Sequence, residues 1–336
     1  MTRAQSDSIP RPPMPLPTRI ADRLRLPLIA APMLRVSGPE LAIAACRAGA
    51  IGAFPVANAR GLEALEQWLR EIRHALDGPS DWDPHRASAP FCPNLIIKRP
   101  QMREELDCLV RHRVELVITS VGSPAAAIAP LHDVGCLVFA DVATLGHAEK
   151  ALAAGVDGLV LLTAGAGGQT GWMNPLALVR AIRGFYDGPI VLAGGVADGR
   201  ALWAARVLGC DLAYMGTKFI ATHESLAAPE YKAMLVESSM DEVTLTRAFT
   251  GLDTNMLTRS IIAAGLDPKN LPERISNDAA AEIFGPGAAP GQRRWQDVWS
   301  AGHSVSGVDR VQSAAELIDR TTAEYEAARR ATATLR

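Results

Sequence analysis

Short apolar runs alternate with longer amphipathic stretches between residues 26 and 220 of this chain. Runs that are apolar at nearly every position are typical of strands buried on both faces of a parallel sheet. The predicted strands are Leu26–Met33, Ala50–Val56, Phe91–Ile97, Leu116–Gly122, Leu137–Ala143, Gly158–Ala164, Pro189–Gly195 and Leu212–Phe219. Eight strands alternating with helices favour an α/β fold of the (β/α)₈ TIM barrel type. An open doubly wound sheet is the alternative, because alternation alone does not prove closure.

The stretches between these runs have the composition and the start signals of helices. Asn174 precedes a proline and Asp198 opens the next stretch, and both residue types are favoured at helix N-caps. The predicted helices include Gly61–Leu76, Met102–His112, Leu145–Ala154, Asn174–Phe185 and Asp198–Leu208.

A single barrel domain is predicted over residues 21–336. Beyond Phe219 no clear strand is found, and both Glu224–Ser239 and Val243–Ile262 have helical patterns. We therefore expect residues 220–305 to form a helical insertion, or lid, over the catalytic face. A final helix over about 308–331 is expected to pack back on the barrel. Residues 1–20 are polar and then proline-rich, which predicts an extended N-terminal arm.

The composition is that of an ordinary globular protein, with 48% hydrophobic residues, 21% charged residues and a net charge of −2. No clustered basic surface is expected, so nucleic acid is an unfavoured partner. No apolar run reaches the length of a membrane span. The five cysteines are scattered and never form a C-x-x-C pair, which argues against disulfides or a metal site. Free thiols favour a cytoplasmic protein. A small-molecule substrate is the expected partner.

The loops after the last two strands carry glycines at the end of the barrel where active sites lie. They are Ala193–Val196 and Met215–Lys218. Glycines let backbone N–H groups approach a phosphate closely, and the helices that follow would add their positive ends. Tight turns would explain one isolated Gly-Gly pair, but two such loops on adjacent strands favour phosphate binding. Thr217 adds a hydroxyl group and Lys218 a positive charge.

Another glycine-rich segment follows the sixth predicted strand, over residues 163–172. Four glycines within seven residues leave a backbone that can lie flat against a planar ring. The spacing matches neither a Walker loop nor a dinucleotide-binding fingerprint, and a flexible loop is the alternative. Trp172 beside it is a candidate for shaping a substrate pocket, whereas Trp295 and Trp299 are interpreted as packing residues.

This ordered set of motifs resembles the nitronate monooxygenase family, also called 2-nitropropane dioxygenases, which includes flavin-type enoyl-ACP reductases and NAD(P)H:quinone reductases. The similarity covers nearly everything after residue 20. The matching segments are PLIAAPM at 27–33, Asn94-Leu95-Ile96, the run 151–171 that contains AGAGGQTG, IVLAGGV at 190–196, MGTKFIA at 215–221, TRAFTGL at 246–252 and WSAG at 299–302.

The resemblance implies an FMN-binding TIM barrel. Ala31–Met33 would line the flavin ring, Asn94 would hydrogen-bond its polar edge, and the glycines at 167 and 168 would pass over it. The loops at 193–196 and 215–217 would hold the phosphate. The expected cofactor-binding residues are Ala31, Pro32, Met33, Asn94, Ser120, Asp141, Gly165, Gly167, Gly168, Gln169, Ala193, Gly194, Gly195, Met215, Gly216 and Thr217.

Two positions depart from the family pattern. Relatives commonly carry histidine where this chain has Gln169, and glutamine cannot take a proton from a substrate. Proton abstraction from neutral nitroalkanes is therefore expected to be lost or weak, while oxidation of an anionic nitronate or hydride transfer could survive. Asp141 is the second departure. A carboxylate there would disfavour anionic reduced flavin, accept a hydrogen bond from the flavin imide, or point elsewhere.

Three other histidines could replace the missing base. His147 lies in the first turn of a helix and is expected at the surface. His223 follows the loop after the eighth strand, and His303 follows the WSAG motif. Gln169, His303 and His223 are therefore the catalytic candidates.

The sequence predicts an FMN-dependent oxidoreductase that oxidises a nitronate with O₂. An NAD(P)H-dependent reductase of an enoyl, acyl-thioester or quinone-type acceptor is the first alternative. A catalytically degenerate flavin-binding protein and a barrel enzyme that binds a phosphorylated substrate without flavin are the others. Monomer and homodimer stay open.

Overall fold

The computed structural model describes residues 16–333. Its strands lie where the apolar runs predict them, with an additional short strand and a hairpin. In chain order the strands are β1 (Leu28–Ala30), β2 (Ile51–Pro55), β3 (Phe91–Ile96), β4 (Leu116–Ser120), β5 (Leu137–Val142), β6 (Gly158–Leu162), β7 (Gly168–Gln169), β8 (Ile190–Ala193), β9 (Leu212–Met215), β10 (Val243–Thr246) and β11 (Thr254–Leu257).

Eight of these strands close into a parallel barrel in the order β1-β2-β3-β4-β5-β6-β8-β9. Closure is visible at β1, where Ile29 pairs with Ile51 of β2 on one side and with Tyr214 of β9 on the other. The TIM barrel is thereby confirmed, and the open sheet is excluded.

Alternation along each strand divides the core into two layers. Inward residues such as Ile29, Ile51, Phe139 and Val160 fill the barrel. Their outward neighbours pack against the surrounding helices in a second, larger cluster. Because successive side chains point to opposite faces, the register of a strand decides which of its residues can reach a site at the barrel mouth.

The predicted helices and caps are also present. The Asn174 side chain accepts hydrogen bonds from the amides of Leu176 and Ala177, and Asp198 accepts one from Ala201. The helices are α1 (Thr18–Ala21), α2 (Pro39–Arg47), α3 (Leu62–Ala75), α4 (Met102–Arg111), α5 (Ala125–His132), α6 (Leu145–Ala154), α7 (Pro175–Arg183), α8 (Gly199–Leu208), α9 (Thr217–Ile220), α10 (Pro229–Glu237), α11 (Thr258–Ala263), α12 (Asn277–Phe284) and α13 (Ala314–Thr332).

The N-terminal segment requires a correction. Residues 1–15 of the predicted extended arm lie outside the described residues. From residue 18 the chain is helical, and Ile20 is fully buried in the barrel interior. Arg23 of this segment pairs with Glu115, just before β4, at 2.8 Å. Residues 16–26 therefore cover the amino end of the barrel and belong to its core, because Leu16 and Ile20 supply apolar surface there.

The sequence prediction for the region after residue 220 is wrong in one respect. Helix α10 lies within the predicted span, but the segment at 243–257 is a β-hairpin, and only Thr258–Ala263 is helical. β11 pairs antiparallel with both β10 and β7, which gives a three-stranded sheet over the barrel. The threonines and valine of the hairpin favour strands, and pairing with β7 overrides the helical pattern.

The last helix packs on the barrel helices. Gly199 at the start of α8 lies against the backbone of Thr321 and Tyr325 of α13, where a Cβ atom would collide. All five cysteines are buried and unpaired. None of the helices within residues 16–333 combines the length and the apolar character that a bilayer crossing would require.

Candidate functional site

A cavity of about 220 Å³ opens at the carboxyl end of the barrel. Its floor is the uppermost inward layer of side chains, one from each barrel strand or the residue directly after it. These residues are Ala31, Pro55, Asn94, Ser120, Asp141, Leu162, Ala193 and Tyr214. Alternation explains the set, because each is an even number of positions from an inward core residue on its own strand.

Backbone amides of two glycine loops form one wall. Gly195 has a φ of 76°, and no atom lies within 4 Å of the position its Cβ would occupy, so only glycine leaves that space open. The N–H groups of Gly195 and Gly216 donate to no other group within residues 16–333. Unsatisfied amides that line a cavity are suited to the oxygens of a phosphate.

The helix end predicted to assist these loops is already occupied. Asp198 accepts a hydrogen bond from Ala201, and Glu324 of α13 accepts one from Gly199 at 2.9 Å. Two carboxylates therefore neutralise the start of α8. Lys218 does not line the cavity; burial lowers its pKa, opposed by nearby carboxylates including Asp198. The expected contributions of α8 and Lys218 to phosphate binding are thus wrong.

A polar row crosses the floor at the ends of β3, β4 and β5. The Ser120 hydroxyl donates to Asn94 Oδ1 at 3.1 Å, which leaves the Asn94 amide N–H groups for a ligand. Asp141 is half-buried, and its Oδ1 is inaccessible and has no hydrogen-bond partner within residues 16–333. Burial raises the pKa of Asp141 to about 7, well above the ordinary value for aspartate.

The glycine-rich segment is an ordered roof rather than a flexible loop. Gly168 and Gln169 form β7 and pair with Asn255 and Thr254 of β11. The Asn255 side chain donates to the carbonyl of Ala166 at 2.7 Å from a buried position. The side-chain amide of Gln169 lines the cavity and makes no hydrogen bond within residues 16–333, so it can bind a substrate oxygen.

The roof is closed by a backbone contact with the segment around residue 302. A Cβ on Gly302 would lie 2.7 Å from the nitrogen of Gly167, so both positions need glycine for this approach. The amide of Gly302 also donates to Thr217 Oγ1 at 3.0 Å. This contact joins the roof to the glycine wall.

An aromatic wall was missed by the sequence analysis. Tyr231, Trp295 and Trp299 all line the cavity. The rings of Tyr231 and Trp299 are stacked, with centroids 5.0 Å apart and planes at 9°, and the Tyr231 hydroxyl donates to the carbonyl of Ser300. Trp172, expected to shape the pocket, is 72% exposed and lies outside the lining. The WSAG motif was the signal that could have placed Trp299 here.

Three of the predicted site residues lie outside the cavity lining. Met215 is fully buried between barrel and helices, because its neighbour Tyr214 takes the inward position. His303 donates its backbone N–H to Gly165, and its exposed side chain lies beside Gly165 without lining the cavity. His223 lies in a separate depression beside Arg310 and Glu316. The structure therefore does not bring His303 or His223 into the cavity lining.

The other predicted site residues meet around one cavity. Together they define an α/β-barrel enzyme whose cavity lies between a polar floor, a glycine wall with free amides and an ordered roof. The chain belongs to the nitronate monooxygenase family, whose model, described as Nitronate monooxygenase, matches residues 19–324. It is a flavin-dependent oxidoreductase.

Individual relatives agree with this family. A nitronate monooxygenase of Paraburkholderia phytofirmans is 28% identical over 344 residues, covering 89% of this chain and 92% of the relative. An octahydro-1H-indene-4-carboxyl-CoA dehydrogenase of Rhodococcus jostii is 26% identical, over 70% of this chain and 64% of that protein. The crystal structure of a nitroalkane oxidase from Streptomyces ansochromogenes superposes with a TM-score of 0.79 at 25% identity, covering 93% of this chain and 99% of that one.

Proposed function

We propose that the cavity binds FMN and that the protein oxidises an anionic nitronate with O₂. The observation that carries this proposal is that the floor, the roof and the wall of free amides meet around one cavity. Membership of the nitronate monooxygenase family supports the same reaction.

The residues of the cavity fit FMN by their own chemistry. The free amides of Gly195 and Gly216, with the Thr217 hydroxyl beside them, would hold the phosphate. Asn94 would bind the pyrimidine edge through its free amide, and Gly168 would lie over the ring. When bound, the flavin supplies the redox chemistry by which electrons pass from the substrate to O₂.

The residues that line the cavity favour a substrate that is already anionic. Among the described residues, no histidine, lysine or arginine contributes to the lining. The Gln169 amide can donate a hydrogen bond to a nitro oxygen but cannot remove a proton from carbon. A substrate that arrives already deprotonated needs no base at this position.

Oxygen uptake with two forms of the same compound tests the proposal. We expect the FMN-loaded protein to consume O₂ with a preformed nitronate at least about tenfold faster than with the neutral nitroalkane at equal concentration. Gln169→Leu should raise KM for the nitronate, since the hydrogen bond is lost while the volume is similar. Equal rates with both forms, or no uptake with the nitronate, would contradict the proposal.

A second candidate is an NAD(P)H-dependent reductase of a larger apolar acceptor. The wall of Tyr231, Trp295 and Trp299 favours it, because stacked aromatic surface suits a flat or acyl substrate better than a small nitronate. Rapid anaerobic bleaching of the flavin bands by NADH or NADPH, without bleaching by nitronate, would replace the first candidate by this one.

A further inference from the structure

Asp141 is the one carboxyl group among the described residues that line the cavity. It occupies the inward position near the end of β5, in the floor layer. Its Oδ1 is buried and has no hydrogen-bond partner within the described chain. A buried carboxyl oxygen without a partner costs more free energy as part of an anion than as part of the neutral acid.

The groups that face Asp141 offer no positive charge. Val160 of β6 is its register partner, and Ser120 is the floor residue of β4, already bonded to Asn94. Cys92 of β3 and Tyr214 of β9 are the titratable groups that interact with it electrostatically. Burial raises the pKa of both, so neither supplies a charge that would stabilise a carboxylate.

The Tyr214 hydroxyl shares this isolation, since it too is buried without a partner among residues 16–333. The two oxygens therefore lie in the same floor layer and do not satisfy each other. In such surroundings the neutral form of a carboxyl group is favoured over the anion, in agreement with a pKa of about 7 at this position.

We propose that Asp141 recognises the flavin as a neutral carboxylic acid, donating its proton in a hydrogen bond to an acceptor on the pyrimidine part of the ring. The inference rests on the proposed binding of FMN in this cavity. A carboxylic acid offers a donor, whereas a carboxylate only accepts. Asn94 and Asp141, two strands apart on the floor, then form a paired set of donors for that edge.

The proposal fixes the sign of a pH dependence. If only the protonated side chain binds the ring well, flavin affinity falls as the pH rises through the pKa of Asp141 in the free protein. The limit is about a tenfold loss per pH unit. A carboxylate that accepts a hydrogen bond from the ring imide would give the opposite trend.

The test is the dissociation constant of riboflavin, measured by fluorescence quenching on the FMN-free protein from about pH 6 to about pH 9. Riboflavin is the probe because the FMN phosphate itself ionises near about pH 6. Asp141→Asn keeps the shape and a permanent donor. Asp187→Asn, in the exposed loop before β8 at the other end of the barrel, is the matched control.

We expect the wild-type protein and Asp187→Asn to lose affinity above about pH 7, and Asp141→Asn to bind equally well across the range. At high pH the Asp141→Asn variant should therefore bind more tightly than the wild type. Affinity that rises with pH, or parallel profiles for all three proteins, would overturn the assignment of a neutral acid. Absence of flavin binding to every protein, with FMN as well, would instead remove the proposed function and this inference together.

Discussion

The floor and the roof of the cavity are built by different means. The floor consists of inward side chains of eight neighbouring strands, and each is placed by alternation along its own strand. The roof consists of Gln169, the aromatic wall and the Gly167–Gly302 contact, which come from separate segments spread over residues 167–302. A site can therefore combine one surface fixed by the local pattern with another fixed by long-range packing.

The most direct way to disrupt the roof is a substitution at the Gly167–Gly302 backbone contact. Gly302→Ala should destabilise the protein by about 3 kcal/mol and weaken FMN binding at least about 100-fold. The added Cβ would push the segment that carries Gly165 and Gly167 away from residue 302. Urea unfolding and flavin titration measure the two effects. Gly287→Ala is the control, since no atom lies within 4 Å of its Cβ position. Equal behaviour of the two variants would show that the contact is not required.

The floor is best tested through the charge at Asp141. Because its folded pKa is raised to about 7, the folded state holds this proton more tightly than the unfolded chain. The wild-type protein without flavin should therefore lose stability as the pH rises from about 4 to about 7, and remain lower above that. Asp141→Asn avoids the loss and should be more stable by about 4 kcal/mol at pH 8.

Denaturant unfolding of both proteins at pH 5 and pH 8 provides the comparison. The difference between them should shrink toward acid pH. A variant that is less stable than the wild type at pH 8 would mean that the carboxylate is satisfied in the folded protein, contrary to its isolation on the floor.

The aromatic wall sets the shape of the roof on the substrate side. Trp299→Leu removes the stacked ring beside Tyr231 and should cost about 1–2 kcal/mol of stability, with an increase of about tenfold in the KM of the substrate. Trp172→Leu is the matched control, because that exposed ring lies outside the lining and should leave both values unchanged. A larger effect at Trp172 would place the substrate outside the cavity described above.

The excluded histidines should have small effects. His303→Ala and His223→Ala are expected to change kcat by less than about twofold, since neither side chain lines the cavity. A loss of about 100-fold in either variant, with unchanged flavin content, would require that the roof rearranges to bring the side chain inside.

The sequence predicted five of the eight floor residues, because a parallel barrel places strand ends at one rim, but it missed Pro55, Leu162 and Tyr214. Asn94, Ser120 and Asp141 lie at strand ends, and the family resemblance added their expected contact with the flavin. Met215 was misassigned because its position at a strand end shows which rim of the barrel it lies at, but not whether its side chain points inward. Its neighbour Tyr214 takes the inward position.

The roof could be predicted only in part. Its glycines were visible as a motif, but the pairing of β7 with β11 joins residues about eighty positions apart and leaves no local periodicity. Tyr231 and Trp295 likewise reach the cavity through tertiary packing. Lys218 shows that closeness in sequence can mislead. It follows a glycine loop along the chain, but in the structure its charge is buried near carboxylates that include Glu324 of α13.

The most direct test of the central claim, that floor and roof enclose an FMN that takes electrons from a nitronate, is an anaerobic absorbance titration of the FMN-reconstituted protein with a preformed nitronate. The account predicts flavin bands that bleach on nitronate addition and return on admission of air. A protein that shows no flavin bands after reconstitution, or bands that persist with nitronate under argon, would contradict it.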